Sequence, residues 1–496
     1  LSLLLHLPLP HSQTDTEVIV NLLRIFYTEQ KDMEKAIMKT INRLEGTWGL
    51  SIMCIDEPNT MYCIRHGSPI LIGFGENFIL VSSEQSGFCG NVQNYICLND
   101  GDVAILKQEN NIVFETKCNY DLMNITTEDY SITPHPYPHW TIKEIYEQYD
   151  SSLRAISLGG RLLDDHKVKL GGLEENKSYL TNIEHLILLG CGTSYHAGLH
   201  SLFFFKDLCN FTTVQVFDGA EFTYDDLPKN GKTALILLSQ SGETKDLHRC
   251  IKIGKDNDLF LIGVVNAIDS LIAREVNCGC YLNAGREVGV ASTKSFTSQV
   301  IVLSMMAIWF AQINDISYNK RKQYITDLHK LPQDIKQTIK NTEETCKTVI
   351  DILYDKNSCF VLGKGSLESI SKEGALKMKE LSYIHAEGYG GSSLRHGPYS
   401  LLVKNTPVFF VCPDDDNFML MKSTMEEVLS REATPICITD TNKSMNNIKY
   451  IINVVKNNTY NGILHTIPMQ LIAYYLALKK GHDPDFPRNL AKCVSV

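Results

Sequence analysis

Two segments of this 496-residue chain follow one order: an apolar run, a pair of glycines, then a helix-forming run. The first is 185–194, where a strand-like stretch meets Gly190, Cys191, Gly192, Thr193 and Ser194, with 195–208 following as helix. The second is 359–366, where Gly363 and Gly365 precede the helix-forming 367–381. Each glycine pair lets the backbone turn sharply from strand to helix and lets a ligand approach it closely. A single G-x-G says little. Its return about 170 residues later points to a duplicated, doubly wound α/β domain.

The copies differ where their next strands end. In the first copy the apolar run 233–239 stops at Ser239, Gln240, Ser241, Gly242, Glu243 and Thr244, and a charged helix-forming stretch follows. Ligands of parallel α/β sheets bind at such junctions. Free backbone N–H groups and the positive end of the helix dipole favour an anion there. Ser239, Ser241 and Thr244 add O–H donors and Gln240 an amide, a set suited to reversible binding of a phosphate monoester. The plainer reading is a helix cap with no ligand. In the second copy, strand 408–411 runs into Cys412, Pro413 and three aspartates, Asp414, Asp415 and Asp416. Three carboxylates repel a phosphate, so the first copy alone is expected to hold the anion.

Length allows about three domains. A hydrophobic fraction of 44% and a charged fraction of 21% are those of a soluble globular protein. A net charge of −10 without a basic cluster argues against nucleic acid as a partner. The fifteen cysteines are scattered, and the C-x-C of Cys278 and Cys280 is a weak metal signal. A reduced cytoplasmic protein with no metal and no cofactor is expected. Residues 1–10 are apolar but too short to span a bilayer and lack a basic flank, so no membrane association is expected.

Residues 46–115 alternate β-branched and aromatic runs with turn signals, the mark of a β-rich domain of separate ancestry. Pro134, Pro136 and Pro138, then the charged 143–150, read as a linker. Apolar spacing predicts a buried helix over 293–313 and an amphipathic one over 320–351.

Titratable groups crowd 373–387. On a helix, Glu373, Lys377 and Glu380 share one face. That face is either an ordinary solvated Glu–Lys pair or, with His396 held downstream beside Gly397 and Pro398, equipment for moving protons on a sugar. Lys492 lies in a tail without periodicity. It is an inert surface charge unless the tail folds back, in which case desolvation makes it a nucleophile towards a carbonyl.

Taken in order, Cys191 to Ser194, Ser239 to Thr244, Val290 to Lys294, Glu373 to Glu387, His396-Gly397-Pro398 and the ending around Lys492 closely resemble the glutamine–fructose-6-phosphate aminotransferase (isomerizing) family. The likeness covers about residues 12–496. It implies two tandem sugar isomerase (SIS) domains, doubly wound parallel sheets, behind a truncated β-rich glutaminase remnant of the N-terminal nucleophile type. The implied layout is 1–125 glutaminase part, 126–180 linker, 181–320 first SIS domain, 321–348 helical connector, 349–485 second SIS domain and 486–496 catalytic tail. The implied reaction makes glucosamine 6-phosphate from fructose 6-phosphate and glutamine, the entry to the UDP-N-acetylglucosamine pathway, in a homodimer or higher homo-oligomer.

The resemblance also assigns roles. Thr193, Ser194, Ser239, Gln240, Ser241 and Thr244 would bind the sugar phosphate, while Val290, Ser292 and Ala491 would line the sugar. Lys492 would form a Schiff base at C2. Glu380 would move the proton between C1 and C2, supported by Glu373 and Lys377. His396, from a second subunit, would assist ring opening. Asp15 falls in a segment resembling the one that binds the α-amino group of glutamine.

Two departures stand out. Ser392, Ser393, Leu394 and Arg395 replace the family's usual Gly-Glu-Leu-Lys, and no acidic residue follows Val496. Residues 1–10 match nothing in the family, and no cysteine stands where the glutaminase nucleophile belongs, so glutamine hydrolysis by this chain is not expected. The competing readings are a SIS protein that senses a sugar phosphate without turnover, and a related SIS isomerase or deglycase. Glu380, His396 and Lys492 argue against a sensor, which needs the phosphate cradle only.

Overall fold

The computed structural model describes residues 14–492 except 46–47, 67, 84, 89–90, 109–111, 125–132, 269 and 446. Residues 1–10, the 125–126 boundary and the tail end 493–496 therefore lie outside the described residues. The chain divides into two compact units, residues 1–130 with 495–496, and residues 131–494.

The first unit opens with helices α1 (Asp15–Gln30) and α2 (Met33–Ile41), followed by strands β1 (Trp48–Cys54), β2 (Glu57–His66), β3 (Leu71–Phe74), β4 (Ile79–Ser82), β5 (Asn94–Cys97), β6 (Val103–Gln108), β7 (Ile112–Glu115) and β8 (Met123–Asn124). They form two antiparallel sheets, ordered β1-β2-β6-β7 and β4-β3-β5-β8. Side chains alternate across a strand, and β2 shows the consequence. Tyr62 and Ile64 pack with Leu23, Ala36 and Ile37 of the two helices, whereas Cys63 packs with Ile72 and Ile96 of the other sheet. Asp15 stands exposed in the first turn of α1.

The second unit begins with α3 (Trp140–Tyr146), α4 (Gln148–Ala155), α5 (Gly171–Glu174) and α6 (Lys177–Leu180). The stretch expected to be a linker is thus folded. Its charges masked the apolar residues Ile142, Ile145 and Ala155, which enter the unit's main core.

The first parallel sheet comprises β9 (His185–Gly190), β10 (Thr213–Asp218), β11 (Thr233–Ser239), β12 (Phe260–Val265) and β13 (Cys278–Tyr281), interleaved with α7 (Thr193–Leu208), α8 (Lys245–Asp256) and α9 (Leu271–Glu275). Its strand order is β10-β9-β11-β12-β13. Then come α10 (Lys294–Ile313) and α11 (Tyr318–Leu353). The second sheet repeats the plan as β15-β14-β16-β17-β18. Its strands are β14 (Ser358–Gly363), β15 (His385–Gly390), β16 (Pro407–Val411), β17 (Thr434–Thr439) and β18 (Tyr450–Asn453), with helices α12 (Leu367–Ser382), α13 (Phe418–Leu429) and α14 (Asn461–Lys479).

The two halves share one core. Helix α10 is buried from Lys294 through Ala311, the setting an all-round apolar helix requires. Among the described residues it is the one helix long and apolar enough to cross a membrane, and 89% of that window is buried inside the protein. Helix α12 of the second half packs on α7 of the first and on α14.

Candidate active site

The doubly wound order reverses between β9 and β11, and ligands of such sheets sit in the crevice at that switch point. The two strands are hydrogen-bonded neighbours, so their C-terminal loops meet there. Gly192 has φ 54° and ψ −124°, a conformation that suits glycine, and it starts α7. Gly242 has φ +70°, and a Cβ there would lie 1.9 Å from Ser270 Oγ. Each loop therefore brings bare backbone to the crevice.

The hydroxyls of the second loop are ordered. Ser239 Oγ accepts from Gly242 N–H at 2.9 Å and lies 2.9 Å from Thr244 Oγ1. Ser241 Oγ accepts from Glu243 N–H at 3.1 Å. Ser194 Oγ accepts from Gln299 Nε2 at 2.8 Å. With each serine oxygen accepting an N–H, its hydroxyl hydrogen is directed elsewhere, as a donor. The corresponding loop of the second sheet is less bare than its three aspartates imply. Asp414 pairs with Lys443 at 2.5 Å and Lys456 at 3.2 Å, and these lysines hold its carboxyl below the usual range. Lys364, between the two glycines of that copy, donates to Ser392 Oγ at 3.2 Å.

Helix α12 carries Glu373, Lys377 and Glu380 on one face, as expected. The face is buried, not solvated. Lys377 Nζ lies 3.4 Å from Glu373 and 2.5 Å from Glu380, and the Glu373 and Lys377 side chains are 0% exposed. Burial works to lower the Lys377 pKa, but the two carboxylates prevail and raise it to about 12. Thr193 ties this cluster to the glycine turn. Its hydroxyl donates to Glu373 at 3.2 Å and accepts from Lys377 at 3.0 Å. His196 Nδ1 lies 2.8 Å from the other Glu373 oxygen.

The tail folds back. Pro484 and Asp485 dock on the start of α3, where the Asp485 carboxylate accepts from Trp140 N–H and Thr141 N–H, each at 2.8 Å. Arg488 N–H donates to Tyr383 Oη at 2.8 Å. Lys492 Nζ then reaches Glu287 at 2.7 Å and donates to the Gly289 carbonyl at 2.7 Å. Glu287 also accepts from Ser292 Oγ at 2.9 Å, Thr293 N–H at 2.9 Å and Ser295 N–H at 3.1 Å. Burial would raise its pKa, yet Lys492 and these donors hold it at about 2. Val290 N–H donates to the Asp485 carbonyl at 3.1 Å, and Ala491 is exposed beside Lys492.

These clusters adjoin. Thr193 joins the start of α7 to α12, Gln299 joins it to α10, and Glu287 joins the start of α10 to Lys492. The charge of Glu287 also acts on Lys377. One region of the second unit thus holds the hydroxyl loop, the Glu380 cluster and Lys492. His396 is not brought in. It stands exposed on a 3-10 turn (Ser393–His396), and no hydrogen bond or ion pair joins it to Glu380 or Lys492. Arg395 is paired with Glu427 at 2.6 Å. Gln240 offers its carbonyl to Asn266 N–H and Ala267 N–H, which fixes the loop backbone beneath its side chain.

Sequence reasoning missed Glu287, His196 and Glu144. An acidic residue shortly before a long helix was a readable capping signal for Glu287. His196, one turn into α7, carried none.

Several solved and curated proteins are similar. The family profile for the SIS domain matches residues 179–309 and 352–480. Glutamine–fructose-6-phosphate aminotransferase (isomerizing) of Thermococcus kodakarensis is 34% identical over 494 residues, covering 98% of this chain and 80% of its own. A relative from Acanthamoeba polyphaga mimivirus, bearing the same name with the qualifier "Probable", is 40% identical over 495 residues, 98% of this chain and 79% of its own. Among solved structures, the C-terminal domain of glucosamine-fructose-6-phosphate aminotransferase from Francisella tularensis superposes with a TM-score of 0.67 at 29% identity, covering 72% of this chain and 100% of that one. With two SIS domains and this likeness along nearly its whole length, the chain belongs to the glutamine–fructose-6-phosphate aminotransferase (isomerizing) family.

Proposed function

We propose that this chain acts on fructose 6-phosphate in the reaction that its family uses to make glucosamine 6-phosphate, the opening step of UDP-N-acetylglucosamine synthesis, while hydrolysis of the nitrogen donor glutamine by these residues is not expected. The observation that supports this most is the returned tail, which sets an amine, Lys492, in the same region as a loop of phosphate donors and a buried acid–base cluster.

Ser194, Ser239, Gln240, Ser241 and Thr244 hold the phosphate through hydroxyl, amide and backbone donors. The Thr193 hydroxyl is engaged by α12, so Thr193 contributes its N–H at the first turn of α7. Val290, Ser292 and Ala491 line the sugar. Lys492 leaves its pair with Glu287, loses a proton and attacks the C2 carbonyl, and loss of water gives the imine. Glu380 moves the proton between C1 and C2. Lys377 and Glu373 hold Glu380 in place. His396 opens the sugar ring of a second copy, which its exposure permits. Asp15 is assigned to the α-amino group of glutamine.

A sensor binds the sugar phosphate and leaves it unchanged. Incubated with fructose 6-phosphate alone, the chain is therefore expected to form glucose 6-phosphate slowly. Glu380→Gln should slow this by on the order of 10²–10⁴-fold while leaving binding intact. Binding without any turnover in the wild-type chain would favour the sensor reading.

A further inference from the structure

Among the described residues, Glu144 is the most deeply buried carboxylate outside the roles assigned above, 1% exposed on α3. One of its oxygens accepts from Val288 N–H at 2.5 Å and from Gly289 N–H at 3.2 Å. The other, Oε2, is shut away from solvent with no hydrogen-bond partner. It lies 3.0 Å from where a Cβ on Gly289 would stand, and Thr141 Oγ1 lies 3.1 Å from the same point. The turn that Glu144 grips is the one the tail uses. Its Glu287 carboxylate and Gly289 carbonyl both take Lys492. Its next N–H, from Val290, is held by Asp485.

The N–H groups of Val288, Gly289 and Val290 thus each have a holder, and two of them depend on a single oxygen of Glu144. A buried peptide N–H that loses its acceptor keeps the full cost of its desolvation, so the turn cannot keep its shape unchanged without that oxygen. Burial and the neighbouring Glu287 charge push the Glu144 carboxyl up to about 8 against the pull of Lys492 and Lys294. A bare carboxylate is therefore unwelcome there. The oxygen meets the turn as an acceptor for two N–H groups, a role that a neutral carbonyl oxygen can also fill.

We infer that Glu144 is a positioning residue for the imine-forming lysine, holding the turn of Val288 and Gly289 so that Lys492 finds its carbonyl acceptor and Val290 its place beside the sugar. The inference rests on the function proposed above. It assigns to α3, the first helix of the second unit, a direct part in placing the reactive amine.

The test is the rate at which borohydride fixes fructose 6-phosphate to Lys492, with sugar concentration varied. Glu144→Ala should slow trapping at saturating sugar by on the order of ten- to a hundredfold, the scale of a misplaced reacting group. The half-saturating concentration should move by less than about twofold, because the phosphate loop is untouched. Glu144→Gln keeps an acceptor oxygen and should stay within about threefold of wild type, a rescue that a need for charge would forbid. Glu144→Asp, too short to reach, should fall with alanine and carries the comparison if the alanine variant does not fold. Wild-type trapping in the alanine and aspartate variants would overturn the inference. So would glutamine failing as badly as alanine, or a proportional loss of sugar binding. Absence of trapping in the wild-type chain would instead remove the function on which it rests.

Discussion

Lys377→Met is expected to lower the stability of the second unit by about 3–5 kcal/mol at neutral pH, the cost of breaking a buried ion pair by removing one partner. Methionine fills nearly the same space, so packing loss is a small part of the effect. What is lost is the cation between Glu373 and Glu380, at 3.4 and 2.5 Å. Glu373 is then left fully buried with only Thr193 and His196 for company. The pH dependence follows from the sign of the shift. The folded-state pKa of Lys377 is raised from 10.5 to about 12, so its contribution is complete below 10.5 and fades as pH rises through about 12. Urea unfolding of the wild-type and variant chains should differ most near neutrality and converge above that range. Adding Glu373→Gln to the variant should restore part of the loss, since no unpaired buried carboxylate then remains at that position. A difference under about 1 kcal/mol would mean that the cluster is solvated and does not act as a unit.

The second large effect is on ligand affinity. Ser239→Ala with Ser241→Ala should weaken fructose 6-phosphate binding by about 2–3 kcal/mol, or roughly 30- to 150-fold, from two lost bonds to a charged group. Ser239 is buried at the end of β11, and its oxygen is already taken by Gly242 N–H. Its hydrogen is what the phosphate would receive. Lys364→Ala, in the matching turn of the second copy, should leave affinity unchanged, because the next strand of that copy ends in three aspartates, of which Asp414 pairs with Lys443 and Lys456. Calorimetric titration checks both. Unchanged affinity in the double serine variant would move the anion site elsewhere.

Local pattern carried the parts of this account that depend on neighbours in sequence. The glycine pairs, the strand-to-helix hydroxyl loop and the i, i+4, i+7 face of α12 were all visible, because turns and helix faces are set within about ten residues. The all-apolar stretch of α10 could only be a buried helix, and it is. What stayed hidden depends on long-range packing. Nothing within the tail says that Pro484 and Asp485 cap α3, 345 residues away, and so carry Lys492 back to Glu287. The charged segment holding Glu144 reads as a linker in the sequence, because a carboxylate's burial is decided by its partners, here Val288 N–H and Gly289 N–H, far along the chain. Thr193 lies in the motif expected at the phosphate, yet its hydroxyl bridges Glu373 and Lys377. A motif names a residue but not which of its atoms is already occupied.

The central claim is that the returned tail presents Lys492 as the amine that captures the sugar carbonyl. Borohydride reduction in the presence of fructose 6-phosphate, followed by peptide mass mapping, tests it in one step. The account predicts a reduced sugar-phosphate adduct on the peptide containing Lys492, absent from Lys492→Arg and diminished when Ser239 and Ser241 are both alanine. An adduct on a different lysine, or none in a chain that binds fructose 6-phosphate, would contradict it.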